Sequence, residues 1–329
     1  MGLLLEVATE TLRLKEPFRI SGYVFETWDV VRVTLSDGGH RGRGEGGGAY
    51  FLGDDVPNML AQIEAARALI QARPSRTELL CLMPAGGARN AVDCALWELE
   101  AAHADVPVWE LAGLDPPRPL RTTFTIGADE PDAMAARARR YAEARSIKVK
   151  LTGDIDLDLT RVAAIRTARP DVWIGVDGNQ GFVRSELDRL VAGLVKHGVA
   201  LLEQPLRRGS EADLDGYRSP IPIAGDESLL TGADIETAAG RFDVVNIKLD
   251  KCGGLTEGLA MAAAARRQGM GVMVGCMVGT GLAMAPAFVL GQSCDLVDLD
   301  GPTFISNDLG SSVTYSSGRI WSGPQVWGG

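Results

Sequence analysis

The chain has 329 residues and a net charge of −10 at neutral pH, with a sequence pI near 4.9. That length suits one large domain and a smaller one, and the acidity disfavours nucleic-acid or anionic-membrane partners, which need clustered Lys and Arg. No apolar run reaches membrane-spanning length, and Met-Gly-Leu-Leu-Leu-Glu has neither the basic flank nor the long apolar core of a signal peptide.

Cys81, Cys94, Cys252, Cys276 and Cys294 are scattered, odd in number and without a CxxC pair. This predicts reduced thiols in a cytoplasmic protein, not a disulfide or zinc framework. His40, His103 and His197 all lie away from the ends of apolar runs, which argues against His-based metal ligation and a Ser-His-Asp triad.

In chain order, residues 2–10 and 26–35 alternate as strands do. Lys15 to Phe25, with Pro17, Gly22 and several aromatics, is expected to be a loop, and Asp37-Gly-Gly a hairpin turn. Gly42 to Gly48 is glycine-rich but lacks the Lys-Ser/Thr of a phosphate loop and any GxGxxG spacing, so it is read as a strand end and mobile loop. Residues 56–73 and 85–104 read as amphipathic helices, completing an α+β module. Pro116-Pro-Arg-Pro is the expected linker. Arg121-Thr-Thr-Phe-Thr-Ile is the expected first strand of a second module.

From there short apolar runs end in charged residues: Lys148 and Lys150, Asp177, Glu203, Asp226 with Glu227, Lys248, then Asp298 and Asp300. These ends, with Cys276, recur at about 22–28-residue intervals, room for a strand, a loop and a helix in each. Helical periodicity fills 157–167, 185–197, 233–241 and 256–268. The fold class is therefore α/β, a (β/α) barrel whose strand ends share one mouth. The expected division is a cap at 1–116, a barrel at 117–302 and a tail at 303–329 that packs back on the cap.

Asp177, Glu203 and Asp226 end three consecutive strands, and adjacent strands lie about 4.8 Å apart. Three converging carboxylates need a cation, and an all-oxygen set favours Mg²⁺, then Mn²⁺. Taken singly, each carboxylate more simply caps a helix or pairs with a lysine; three in succession between lysines favour the site. Residues two apart on a strand share a face, so Lys148 and Lys150 both enter the mouth, opposite Lys248. A cation and a second ammonium nearby are expected to lower a lysine toward a usable base. Two bases flanking one carbon permit a 1,1-proton transfer, with the metal stabilising the enediolate of a carboxylate substrate.

Lys-Val-Lys, Val-Asp-Gly-Asn, Leu-Leu-Glu-Gln-Pro, Gly-Asp-Glu-Ser and Asn-Ile-Lys-Leu-Asp-Lys-Cys-Gly-Gly resemble the enolase superfamily, muconate-lactonising subgroup, over nearly the whole chain. The resemblance implies a modified (β/α)7β TIM barrel with an N-terminal α+β capping domain. It implies Asp177, Glu203 and Asp226 as Mg²⁺ ligands, Lys150 and Lys248 as acid/base lysines, and Lys148 beside the substrate carboxylate. Asp298-Leu-Asp300 is similar to the Asp-x-Asp motif of dipeptide epimerases, where two carboxylates suit an α-ammonium. By the same likeness Thr125, Cys276 and Val278 line the substrate pocket, and an L-Ala-D/L-Glu epimerase of peptidoglycan recycling is the first expectation.

One departure bears on specificity. Ala-Glu epimerases carry a cap-loop arginine where this chain, aligned without gaps, has Gly22. Either Arg19 swings in, or the second residue of the dipeptide is uncharged or apolar, with Tyr23 and Phe25 as lining residues or plain loop anchors. A cycloisomerase or o-succinylbenzoate-type dehydratase is the alternative enzyme. A Schiff-base aldolase would keep one buried lysine without the carboxylate trio, and an idle binding barrel would need no opposed lysines. The expected partner is a small dipeptide, with no nucleic acid or membrane, and barrels of this kind commonly form homo-oligomers.

Overall fold

The computed structural model describes residues 2–20, 22–306 and 312–329. Strands β1 (Leu4–Ile20), β2 (Tyr23–Asp37) and β3 (His40–Gly46) form an antiparallel sheet in that order. The segment expected as a loop is instead the far end of the β1–β2 hairpin. Phe18, Arg19 and Ile20 pair with Phe25, Val24 and Tyr23 beyond a register shift between Arg13 and Phe18. Pro17 has no N–H to give the ladder, and the shift falls beside it. Gly22 takes a left-handed turn conformation at φ 78°.

Helices α1 (Val56–Gln71), α2 (Arg76–Leu82) and α3 (Gly87–Ala104) cover one face of this sheet. Val31, Val33 and Leu35 of β2 bury against Ile63, Ile70, Ala91 and Ala95. The unexpected helix α2 begins with a Ser75–Glu78 capping box, a local signal present in the sequence. The glycine-rich stretch is no phosphate cradle; the expected strand end is present, with Gly42, Gly44 and Gly46 on β3, but these glycines lie directly against α3 and not in a mobile loop. A Cβ on Gly44 would sit 2.0 Å from the Ala91 carbonyl oxygen, and one on Gly42 2.0 Å from that of Ala95.

The second module is a parallel barrel of eight strands. They are β5 (Phe124–Ile126), β6 (Ser146–Lys150), β7 (Trp173–Asp177), β8 (Leu201–Glu203), β9 (Ile223–Gly225), β10 (Val244–Lys248), β11 (Gly271–Gly275) and β12 (Leu296–Asp298). The seam between β12 and β5 is bridged by the Thr123 N–H donating to the Val297 carbonyl at 3.0 Å. The first barrel strand starts at Phe124, later than expected. Leu120–Arg121 forms β4, which pairs with β14 (Arg319–Trp321) beside β13 (Thr314–Ser316). Helices fill the crossovers except between β8 and β9, where a 3-10 turn at Glu211–Leu214 replaces the expected helix.

The two modules interlock. Arg89 of α3 donates to the Cys252 and Gly253 carbonyls, and Asn90 Nδ2 donates to Asp250 Oδ1 at 2.9 Å. Thr256 donates to Asp93, and the Trp97 indole donates to Thr256. These bonds seat α3 on the short helix Leu249–Cys252 after β10 and on the start of the helix Leu255–Arg267 that follows. At the other end of the chain, Trp327 Nε1 donates to the Arg43 carbonyl and the Gly328 N–H to Glu98.

Candidate active site

The parallel register carries the charged strand ends to one level. Lys150 is opposite Asp177, and Asp177 opposite Glu203. Asp226 follows β9 directly, Lys248 ends β10, Asp298 ends β12 and Asp300 lies two residues beyond. Asp177, Glu203 and Asp226 are all buried, and one carboxylate oxygen from each lies within 4.8 Å of the others.

The lysines meet this cluster from both sides. Lys150 Nζ lies 2.6 Å from Asp177 Oδ2, and Lys248 Nζ 2.6 Å from Asp226 Oδ2. Lys148 Nζ lies 2.8 Å from both Glu203 and Asp298 and 3.5 Å from Asp177. Burial raises Glu203, and the Asp177 charge adds to it, to about 7. Burial and Asp226 push Glu227 up to about 8. Burial also opposes ionisation of Asp226, but Lys248 and Lys251 outweigh it and hold that carboxyl well below the usual range. Burial likewise disfavours the ammonium of Lys248, yet Asp226 wins and raises it. Lys148 is raised in the same way, by Asp298 and Glu203 against burial. For Lys148 and Lys248 the expected lowering is therefore absent from the chain alone, because carboxylates are the nearest charges, Asp298 and Glu203 for the first and Asp226 for the second. Asp177, Glu203 and Asp226 could hold a divalent ion, which would offset their negative charge beside the lysines.

The donor set fits such an ion. Glu203 Oε2, Glu227 Oε2, Asn179 Oδ1 and Asn246 Oδ1 are buried oxygens without a hydrogen-bond donor. Glu203 Oε2 has Lys148 close by, but not in hydrogen-bonding alignment. Unmatched buried oxygens around three carboxylates are the surroundings a hard cation takes.

Several supporting residues escaped the sequence reading. Asn246 Nδ2 donates to Glu203 Oε1 at 2.8 Å; it lies two residues before Lys248 on β10, so strand alternation was its signal. Gln204 Oε1 accepts from the Asp226 and Ser228 N–H groups. The fully buried Lys251 donates at 2.5 Å to both the carbonyl and Oδ1 of Asp226 and at 3.0 Å to the Asn246 carbonyl. Asn179, Gln180 and Gln204 have positive φ values of 39°, 64° and 34°, a backbone cost of a kind concentrated at working sites.

Above the cluster is a pocket whose empty space, open solvent included, is about 620 Å³. Thr125, Lys148, Lys150, Lys248, Cys276, Val278, Asp298 and Asp300 all line it. Asp298 accepts from Lys148 at 2.8 Å and from the Thr123 hydroxyl; Asp300 accepts from the Thr125 N–H at 2.6 Å. Burial, then Asp298, pushes Asp300 up to about 7. Arg19 does not swing in. It is exposed and borders a separate surface hollow with Gly22 and Val24, while Phe18 and Ile20 on either side of it face the pocket. Phe25 also faces the pocket, whereas Tyr23 is half exposed and stacks on Phe25.

Residues 4–113 match the mandelate racemase/muconate lactonizing enzyme N-terminal domain, and residues 133–306 match the enolase C-terminal domain-like family. The chain is 38% identical over 317 residues to the L-Ala-D/L-Glu epimerase of Escherichia coli K12, covering 96% of this chain and 98% of that protein. An enolase family member from Agrobacterium tumefaciens with homology to dipeptide epimerases, bound to sodium and L-Ala-L-Glu, superimposes with a TM-score of 0.95 at 37% identity, covering 99% of this chain and 100% of that one. The dipeptide epimerase of Enterococcus faecalis, complexed with Mg and L-Leu-L-Tyr, gives a TM-score of 0.92 at 26% identity, covering 100% of this chain and 99% of that one.

Proposed function

Because this chain belongs to the enolase superfamily, within the mandelate racemase/muconate lactonizing enzyme family, we propose that it is a Mg²⁺-dependent dipeptide epimerase, with L-Ala-D/L-Glu as its first candidate substrate. The observation that carries the reading is the placement of Lys150 on β6 and Lys248 on β10, on either side of the buried triad from β7 to β9.

Asp177, Glu203 and Asp226 would hold the ion. When bound, it supplies the positive charge that makes the α-proton of a carboxylate acidic enough for an amine base. One lysine, neutral at that moment, takes the α-proton of the second residue. The other, as an ammonium, returns a proton to the opposite face of the planar enediolate. The two lysines exchange protonation states, and the stereocentre inverts. Lys148 keeps positive charge beside the substrate carboxylate. Asp298 and Asp300 meet the α-ammonium, whose charge favours ionisation of both carboxyls. Thr125, Cys276 and Val278 complete the pocket.

The reading extends to a cap at 1–116, a barrel at 117–302 and a tail at 303–329. It extends also to a cytoplasmic setting, suggested by cysteines without disulfide partners, and to a role in peptidoglycan recycling. Among the described residues no helix is long and apolar enough to cross a membrane. A cycloisomerase or dehydratase substrate has no α-ammonium. Asp298→Asn with Asp300→Asn therefore separates the readings, abolishing dipeptide turnover while sparing those reactions. The primary test is α-proton exchange in D₂O with Mg²⁺ over L-Ala-L-Xaa dipeptides, read by mass spectrometry. Exchange that is lost on chelation supports the proposal, and absence of exchange on every dipeptide removes it.

A further inference from the structure

The barrel wall has a gap beside one of the two lysines. On β11, Val272 and Val274 join the core shared with the helices, whereas Met273 joins Leu201, Ala224 and Val244 inside the barrel. Strand alternation then turns Gly275 inward as well. It lies at the level of the charged ends, in register with Lys248 on β10 and with Asp298 on β12. Of these three neighbouring positions, Gly275 alone carries no side chain. Its φ is not in the left-handed region, so backbone freedom does not explain the residue.

Space explains it. A Cβ at Gly275 would lie 2.7 Å from Asn246 Oδ1, 3.1 Å from Asn246 Nδ2 and 3.1 Å from Lys248 Cε. The Asn246 amide and the Lys248 methylenes therefore occupy the bay that the glycine leaves. Both are also held from their far side. Asn246 Nδ2 donates to Glu203 Oε1 at 2.8 Å, and Lys248 Nζ donates to Asp226 Oδ2 at 2.6 Å. The opposite lysine is placed differently. Lys150 is in register with Asp177, which carries a side chain, and its ammonium donates to that carboxylate at 2.6 Å.

We infer that Gly275 is a positioning residue for Lys248: the bay it leaves sets the reach of that lysine toward the α-carbon, and it exerts no such control on Lys150. The inference rests on the epimerase reading above. Close-packed surroundings absorb an added methyl group only by displacing its neighbours, and here the neighbours are the Lys248 chain and the amide beneath it. Proton transfer depends steeply on placement, with about 10²-fold lost for a 1 Å error. Lys150 enters from β6, on the other side of the triad, so the loss falls on one face of the substrate and hence on one epimer.

The test is Gly275→Ala, with initial α-proton exchange in D₂O at saturating Mg²⁺ measured separately on both epimers of the dipeptide that the wild type exchanges fastest. Lys248→Ala identifies which epimer Lys248 serves. In Gly275→Ala, exchange of that epimer is expected to fall by about tenfold or more relative to the other. A glycine needed only for folding or for the ion slows both epimers alike. Equal loss, or no loss, therefore overturns the inference and leaves the epimerase standing; no exchange by the wild type on any dipeptide overturns both. A second arm adds Gly275→Ala to Asn246→Ala, which removes the atoms nearest the new methyl group and leaves Lys248 Cε as its neighbour. The same asymmetry is expected relative to Asn246→Ala alone, and its absence counts against the positioning role. This arm decides if Gly275→Ala by itself does not fold.

Discussion

Two lysines that do the same chemistry from opposite faces are separable by isotope. With Lys150 replaced by Ala, Lys248 still removes a proton from its own face and returns a solvent deuteron to that face. Lys150→Ala is therefore expected to exchange the α-proton of one epimer only, and Lys248→Ala that of the other. Both lose epimerisation by about 10²–10⁴-fold, the usual scale of a general acid or base. Deuterium incorporation followed by chiral chromatography reads both quantities, and exchange of both epimers by either variant would contradict the two-base assignment. Lys251 plays a different part. Its ammonium reaches Asp226 and the Asn246 carbonyl and does not line the pocket. It is a positioning residue for a metal ligand, and such supports are worth about 10–100-fold in metal affinity. Lys251→Met is expected to raise the Mg²⁺ concentration for half-activity by that factor, with kcat largely recovered at saturating Mg²⁺. Loss of kcat with unchanged Mg²⁺ dependence would assign Lys251 to the chemistry instead.

Elements differ in how openly the chain declares them. The barrel strands are legible because each is a short apolar run ending in a charge, and the parallel register then fixes what those charges do. The β1–β2 hairpin is not, because Lys15, Glu16 and Pro17 interrupt its alternation at the register shift, and only the partner strand shows that pairing resumes at Phe18. Trp28 and Tyr50 were missed for a related reason: they become pocket residues through the approach of cap and barrel, which no local pattern encodes. The glycines of β3 were placed correctly at a strand end, but their packing role was missed for a similar reason. Composition suggests mobility, whereas their function is the close approach of α3. Gly44→Ala places a methyl group 2.0 Å from the Ala91 carbonyl oxygen, and neither backbone can yield without moving the sheet. The expected cost is at least about 1–3 kcal/mol, the range for overpacking. Thermal unfolding of Gly44→Ala beside Gly39→Ala measures it, since a Cβ at Gly39 meets nothing within 4 Å. Equal stability of the two variants would mean that the strand–helix contact is looser than the structure shows.

At the scale of the whole molecule, cap residues Phe25, Trp28 and Tyr50 line the same pocket as the barrel lysines, and the seam between the two modules contains buried polar groups. Asp250, in the short helix Leu249–Cys252 that follows β10, accepts from the Gly47 N–H and from Asn90 Nδ2, both at 2.9 Å and both on Oδ1. The seam thus ties the residue just after β3 and helix α3 to the segment that also carries Lys248 and Lys251. Burial, outweighing these two hydrogen bonds and reinforced by Asp54 and Glu45, raises the Asp250 carboxyl to about 6 from an ordinary 3.8. A raised carboxyl in the folded state means that the native protein binds this proton more tightly than the unfolded chain does. Its contribution therefore weakens the fold as pH rises from about 4 to about 6, and the penalty is fully present above that window. Two pKa units correspond to about 3 kcal/mol. Asp250→Asn keeps the accepting oxygen and both hydrogen bonds while removing the charge. The variant is expected to match the wild type near pH 4 and to exceed it by about 2–3 kcal/mol at pH 7. Urea denaturation of both proteins across that range measures the difference, and a gap independent of pH would show that Asp250 is not the group titrating at the seam.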